Sequence, residues 1–127
     1  MKVFLGGTKD SDWREKLIPL LDVAYFNPVV EDWTEECQAY EEEQKNNFCD
    51  VHLYVITSKM TGVFSIAEAV ESAMTKGKYC VFHVMPDGFD EGQLKSLAAV
   101  IKLIKKQGGI AYQFKNFEPT AYYLNHL

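Results

Sequence analysis

The chain has 127 residues, of which 47% are hydrophobic, 13% aromatic and 24% charged; this suits a single packed domain over 1–127 and is too apolar for wholesale disorder. Thirteen Lys and Arg against eighteen Asp and Glu give a formal charge of −5, without the basic stripe that binding to nucleic acid or an anionic membrane requires. No apolar run approaches the roughly 20 residues of a spanning helix, and MKVFLGGTKD lacks a signal-peptide layout, so a cytosolic protein is expected.

Short β-like runs alternate with longer helical ones. Lys2–Leu5 reads as a strand stopped by Gly6-Gly7, and Ser11 as the N-cap of a helix through Trp13, Leu17, Ile18 and Leu21. Val23–Phe26 reads as a second strand ended by Asn27-Pro28, after which Thr34 caps the polar helix TEECQAYEEEQKNN. Val51–Ile56 is apolar throughout, as a central strand should be. A helix is expected over Ser65–Lys76, ending at Gly77, then a strand over Tyr79–Val84 and a turn at Pro86-Asp87-Gly88. An amphipathic helix with Leu94, Leu97, Val100, Ile101 and Ile104 inward stops at Gly108-Gly109, before a last strand, Ile110–Phe114. The tail EPTAYYLNHL is too apolar to stay in solvent and should dock on its own subunit or a neighbour.

This alternation predicts an α/β fold, a three-layer sandwich with a mostly parallel five-stranded sheet. Cys37, Cys49 and Cys80 lack C-x-x-C spacing and read as reduced thiols. His52, His83 and His126 are too scattered for a metal site, so neither metal nor cofactor is expected.

In such a sheet ligands bind beyond the carboxyl ends of the strands at the switch point, which for a flavodoxin-like order lies between the first and third. The flanking loops are Gly6-Gly7-Thr8, either a plain tight turn or a close backbone approach to a ligand, and Thr57–Ser65, which leads into a helix N-terminus. Ser65-Ile66-Ala67-Glu68 has two readings. It is a capping box, or it places an ionised carboxylate in the first helical turn, where Glu68 could attack an anomeric carbon.

KVFLGGT, YFNPVVEDW, CDVHLYVIT and above all MTGVFSIAE resemble the nucleoside 2-deoxyribosyltransferase family, in its short bacterial and phage branch, from Lys2 to about Pro86. The resemblance implies a flavodoxin-like fold and cleavage of an N-glycosidic bond through a glutamyl-glycosyl intermediate, with transfer to another base or to water. It implies Glu68 as nucleophile and matches Asp50, eighteen residues earlier, to the family's aspartate at the third strand. An acidic residue about eight before that aspartate serves the leaving base, and Glu42 stands there between Glu41 and Glu43; the alternative is a solvated acidic helix face. The family's first-strand tyrosine is replaced by Phe4, and the aspartate that precedes the nucleophile is absent near Thr61-Gly62.

Trp13 either stacks on a base or packs in the core, and Asn27 either bonds a ligand or makes an Asn-Pro turn. Gly6, Gly7, Thr8, Asp50, Thr57, Gly62 and Ser65 complete the expected substrate site. Tyr122 and Tyr123 echo the aromatic tail that relatives insert into a neighbouring site, so a homo-oligomer is expected. The expected partner is a small-molecule nucleoside or nucleotide, with no nucleic acid and no membrane. The alternative function is a non-catalytic nucleotide-binding module of the same fold. A redox or phosphotransfer protein is disfavoured, because an FMN-type phosphate loop and a clustered acidic pocket are both missing.

Overall fold

A computed structural model describes all residues, 1–127. The elements are β1 (Lys2–Gly7), α1 (Trp13–Leu17), β2 (Ala24–Phe26), α2 (Glu35–Glu43), β3 (Val51–Ile56), α3 (Phe64–Met74), β4 (Tyr79–Val84), α4 (Glu91–Lys106), β5 (Ile110–Gln113) and α5 (Glu118–Asn125). The five strands form one sheet in the order β2-β1-β3-β4-β5, and every pairing is parallel. This is the doubly wound, flavodoxin-like order, with its switch point between β1 and β3. The central strand β3 is buried at every residue, which explains its unbroken apolar run.

Alternate strand residues feed two separate cores. Val3, Leu5, Val51, Leu53 and Val55 pack with Trp13 and Leu17 of α1 and with Ala121 and Leu124 of α5. Phe4, Tyr54, Ile56, Phe82 and Val84 pack on the other face with Ala69 of α3 and Leu97 and Ile104 of α4. α2 joins this second face, since Tyr40 packs edge-on against Phe26. No helix is long and apolar enough to cross a membrane.

Several element boundaries differ from expectation. Ser11 does not cap α1; Asp12 stands at the N-cap without a side-chain capping bond, and its carboxylate meets Lys16 Nζ at 3.4 Å instead. The helix ends at Leu17 and tightens into a 3₁₀ turn over Ile18–Leu20, because Pro19 supplies no backbone N–H to continue it. Thr34 does cap α2, its hydroxyl accepting from Cys37 N at 3.1 Å. α2 then widens into a π-helical turn over Gln44–Phe48, which the sequence did not announce. Asp90 and Gln93 form a reciprocal capping box at the start of α4.

The apolar tail docks on its own chain. Thr120 bridges α5 to the sheet: its hydroxyl meets His83 Nδ1 at 2.8 Å and also bonds the Tyr112 hydroxyl. Asn125 accepts from Asp22 N at 2.7 Å and donates to Leu20 O at 2.9 Å. Cys49 and Cys80 are buried free thiols, and Cys37 is a half-buried one.

Burial holds both His52 and His83 below the ordinary imidazole value of 6.5. The unfolded chain therefore binds more protons than the native one just below pH 6.5, and stability must fall as pH drops through that value. The slope contributed by each ring is at most about 1.4 kcal/mol per pH unit. Urea midpoints at pH 7.5 and 5.5 should show this loss. It should be smaller in His83→Gln, whose amide can donate to Phe114 O and accept from Thr120 without titrating.

Candidate active site

Two loops meet at the carboxyl end of the switch point. Gly7 has φ 115°, and a Cβ there would lie 2.2 Å from Val55 O and 2.6 Å from Val55 N. Only glycine permits this approach of β1 to β3. Gly6 is equally confined, since a Cβ would come within 2.8 Å of the Tyr54 ring. Thr8 locks the loops together: its N–H donates to Val55 O, and its hydroxyl accepts from Thr57 N, each at 2.9 Å. Gly6, Gly7, Ser65 and Glu68 border a cavity of about 440 Å³, and Thr8 and Gly62 border a smaller one of about 140 Å³ beside it.

α3 begins at Phe64, with Val63 as an N-cap that makes no side-chain bond. Ser65 is therefore the second helical residue and Glu68 the fifth, so S-x-x-E is not a capping box here. It also places Glu68 beyond the first turn, where the helix dipole acts most strongly. Glu68 has a different partner. Lys45, only 7% exposed, donates from Nζ to Glu68 Oε2 at 2.8 Å. The lysine comes from the π-helical turn after α2, and its ammonium lies 5.9 Å from the centre of the Phe4 ring.

A buried polar chain holds that turn in place. His52 Nε2 meets Lys45 O at 2.7 Å; a carbonyl can only accept, so Nε2 carries the proton. His52 Nδ1 then accepts from the Ser72 hydroxyl at 2.7 Å, which in turn accepts from Tyr54 OH at 2.8 Å. Burial pushes the Tyr54 hydroxyl well above its ordinary value, consistent with a permanent donor.

A second carboxyl group faces the same space. Glu41 borders the cavity beside Glu68 and also a contiguous cavity of about 510 Å³ that runs between α2 and α3. Burial raises its pKa, and the charges of Glu68 and, less strongly, Glu42 act in the same direction against Lys45 and Arg14. Arg14 is itself buried: Nε and Nη2 donate to Leu5 O at 3.1 and 2.9 Å, and Nη1 donates to Thr8 O at 2.9 Å. Burial lowers its pKa to about 10. Trp33 is 54% exposed and borders both cavities, sharing the lining of the outer one with Phe64.

Five expected site residues lie elsewhere or serve another purpose; Thr57 borders none of these cavities, and its N–H ties its loop to Thr8 instead. Trp13 is core: it is 1% exposed, its Nε1 donates to Thr8 O at 2.8 Å, and the Arg14 guanidinium stacks on its ring. Asn27 closes an Asx turn by accepting from Val29 N at 3.2 Å. Asp50 sits exposed at the amino end of β3, opposite the cavity, where it accepts from Lys2 N at 3.3 Å. Glu42 borders only the outer cavity and is exposed; its neighbour Glu41 occupies the inner position.

Lys45, Trp33 and Arg14 went unread. Lys45 did carry a signal as the lone cation closing the acidic run EEEQK, and Trp33 as an aromatic among polar residues directly before a helix cap. No group of three or more His, Cys, Asp or Glu could hold a metal.

Gly7→Ala should therefore cost more than the roughly 1–2 kcal/mol of left-handed strain alone, since its methyl would meet β3 backbone. Gly77→Ala is the matched comparison, because φ is 87° and nothing lies within 4 Å. Equal urea midpoints for the two variants would remove the close-approach reading.

Residues 1–88 match the sequence model of a family described as nucleoside 2-deoxyribosyltransferase like. The match takes in β1 to β4 and every residue of the cavity described above. Neither a search of curated proteins nor one of solved structures gives a match.

Proposed function

The chain belongs to the nucleoside 2-deoxyribosyltransferase-like family, and from that premise we propose that it cleaves the N-glycosidic bond of a (deoxy)nucleoside or nucleotide through a glycosyl ester on Glu68. The observation that carries the reading is the pair of carboxyl groups in one cavity with unlike surroundings. Glu68 is paired with an ammonium, while burial and a neighbouring anion raise the pKa of Glu41. Two carboxyl groups divided in this way suit a double displacement, one as nucleophile and the other as acid.

In the first step the free Oε1 of Glu68 attacks the anomeric carbon. The bond to the base nitrogen breaks, its electron pair stays with the base, and the Glu41 proton neutralises that nitrogen. In the second, water or another base attacks the same carbon, Glu68 leaves as carboxylate, and Glu41 recovers a proton from the incoming nucleophile. Glu41 thus takes the role that the resemblance gave to Glu42, one residue along the same helix. Trp33, exposed at the mouth, is the platform on which the base stacks. Self-association, with the exposed Tyr122 reaching a neighbouring copy, belongs to the same reading.

Incubation with the common nucleosides, 2′-deoxynucleosides and their 5′-monophosphates, followed by chromatography for free base, tests this directly. Glu68→Gln keeps the volume and an acceptor for Lys45 but cannot form the ester, and its rate should fall at least roughly 10³-fold. Retention of the parent's rate would remove Glu68 as nucleophile. If the parent cleaves none of these compounds, yet a nucleotide raises its melting temperature, the chain is a binding module.

Trp33→Ala should weaken substrate binding by about 1–3 kcal/mol, the usual worth of a base–aromatic stack. This would appear as a raised KM with kcat largely kept. An unchanged KM would place the base elsewhere.

A further inference from the structure

We propose that Lys45 is a shared counter-ion, transferring from the Glu68 carboxylate to the Glu41 carboxylate as the glycosyl ester forms. The inference rests on the preceding assignment of these two carboxyl groups and gives the reaction a positioning residue.

The geometry is specific. Lys45 Nζ lies 2.8 Å from Glu68 Oε2, and Lys45, Glu41 and Glu68 all border the cavity between α2 and α3. Glu41 and Lys45 are four residues apart on one continuous helical segment, a spacing that brings their side chains to the same face. The backbone of Lys45 is pinned by His52, so transfer needs only rotation of its four-carbon stem. Around Glu41 the other charged groups are Glu42 on its own helix, Glu68 and Glu71 on α3, Arg14 on α1, and Lys9 in the loop after β1, which borders the inner cavity. Arg14 already donates to the Leu5 and Thr8 carbonyls and Lys9 is an exposed loop residue, which leaves Lys45 as the buried cation with a stem that can turn.

Charge conservation gives the transfer its purpose. With Glu41 as the acid of the proposed first step, the trio before attack holds one carboxylate on Glu68, one ammonium on Lys45 and a protonated Glu41. Once the ester has formed and the proton has left with the base, the carboxylate is on Glu41 and Glu68 is uncharged. The sum is zero in both states. A fixed ammonium would leave a largely buried cation beside a neutral ester and a carboxylate without its partner, the arrangement that burial penalises most. A swinging lysine avoids both.

Glu68→Gln imitates the loss of charge in the ester and allows a test that needs no turnover. In its crystal structure at pH 8, Lys45 Nζ should sit within hydrogen-bond distance of a Glu41 carboxylate oxygen; Nζ remaining on residue 68 would overturn the proposal. In solution, the Glu41 carboxyl can be titrated by ¹³C NMR in the parent, Glu68→Gln, Lys45→Met and the double variant. Lys45 should lower the Glu41 pKa by about 1–3 units where residue 68 is neutral, and by clearly less where Glu68 is charged. An equal or smaller effect in the neutral background would also overturn it.

Should Lys45→Met fail to fold, the crystal structure of Glu68→Gln decides alone. Neither readout depends on cleavage, so their failure is distinct from a failure of the nucleophile assignment. In turnover, Lys45→Met should lower kcat with little change in KM, and Lys45→Arg should recover part of the loss.

Discussion

An ion pair taken out of water at the top of the sheet constrains everything around it. Lys45 and Glu68 side chains are 9% and 15% exposed, so each has lost most of its hydration and depends on the other. Removing one partner of such a pair typically costs about 3–5 kcal/mol, because the survivor is left charged and dry. The pair therefore dictates where α2 and α3 may sit relative to each other. It also explains a feature that propensity does not, the widening of α2 into a π-helical turn before β3. Such turns add a residue to the helical circuit and are common at functional sites. Here the turn delivers Lys45 inward and leaves its carbonyl for His52.

That carbonyl belongs to a motif the protein uses twice. On one face of the sheet Tyr54 donates to Ser72, Ser72 to His52, and His52 to Lys45 O. On the other face Tyr112 and Thr120 bond each other, Thr120 donates to His83, and His83 donates to Phe114 O at 2.8 Å. In each case a carbonyl fixes the imidazole tautomer, and the tautomer orders the hydroxyls behind it. Both imidazoles lie on buried strands, where an unsatisfied ring nitrogen would be costly. The first chain steadies the cavity, and the second ties the C-terminal helix to the sheet.

Sequence reasoning succeeded where one physical term dominated. The strands and their parallel pairing follow from apolar periodicity and from the right-handed crossover, and these need no knowledge of particular side-chain partners; their order came with the family resemblance. It failed where two terms competed over a single residue. Ser65 and Glu68 carry the spacing of a capping box, yet α3 starts one residue earlier and Glu68 turns to a lysine 23 positions upstream. No local pattern encodes that choice. Trp13 had two readings, a base-stacking aromatic and a core residue, and it is core, where its indole N–H still reaches Thr8 O. Asp50 was carried to the site by resemblance alone, and the direction of β3 puts it at the opposite end of the sheet. Glu41 and Glu42 differ by about 100° around the helix, an angle that sequence spacing from a distant aspartate cannot resolve.

The resemblance sets a tyrosine on the first strand, and Phe4 stands there without its hydroxyl. The contact that meets Glu68 in this chain is Lys45, lying near the Phe4 ring. The exchange alters the physics of the site. A phenol is a neutral donor, whereas an ammonium brings a full charge that must be matched at every stage of a reaction in a partly dry cavity. A neutral phenyl ring at position 4 is compatible with that charge, because its face is the negative end of an aromatic quadrupole and adds no competing acceptor. Gly6, two residues on, leaves room for Tyr54 to lie against β1, and Tyr54 starts the chain that ends on the backbone of Lys45. Holding Lys45 in place thus involves a glycine, a tyrosine, a serine and a histidine on three elements. The site is built as one unit around its charge.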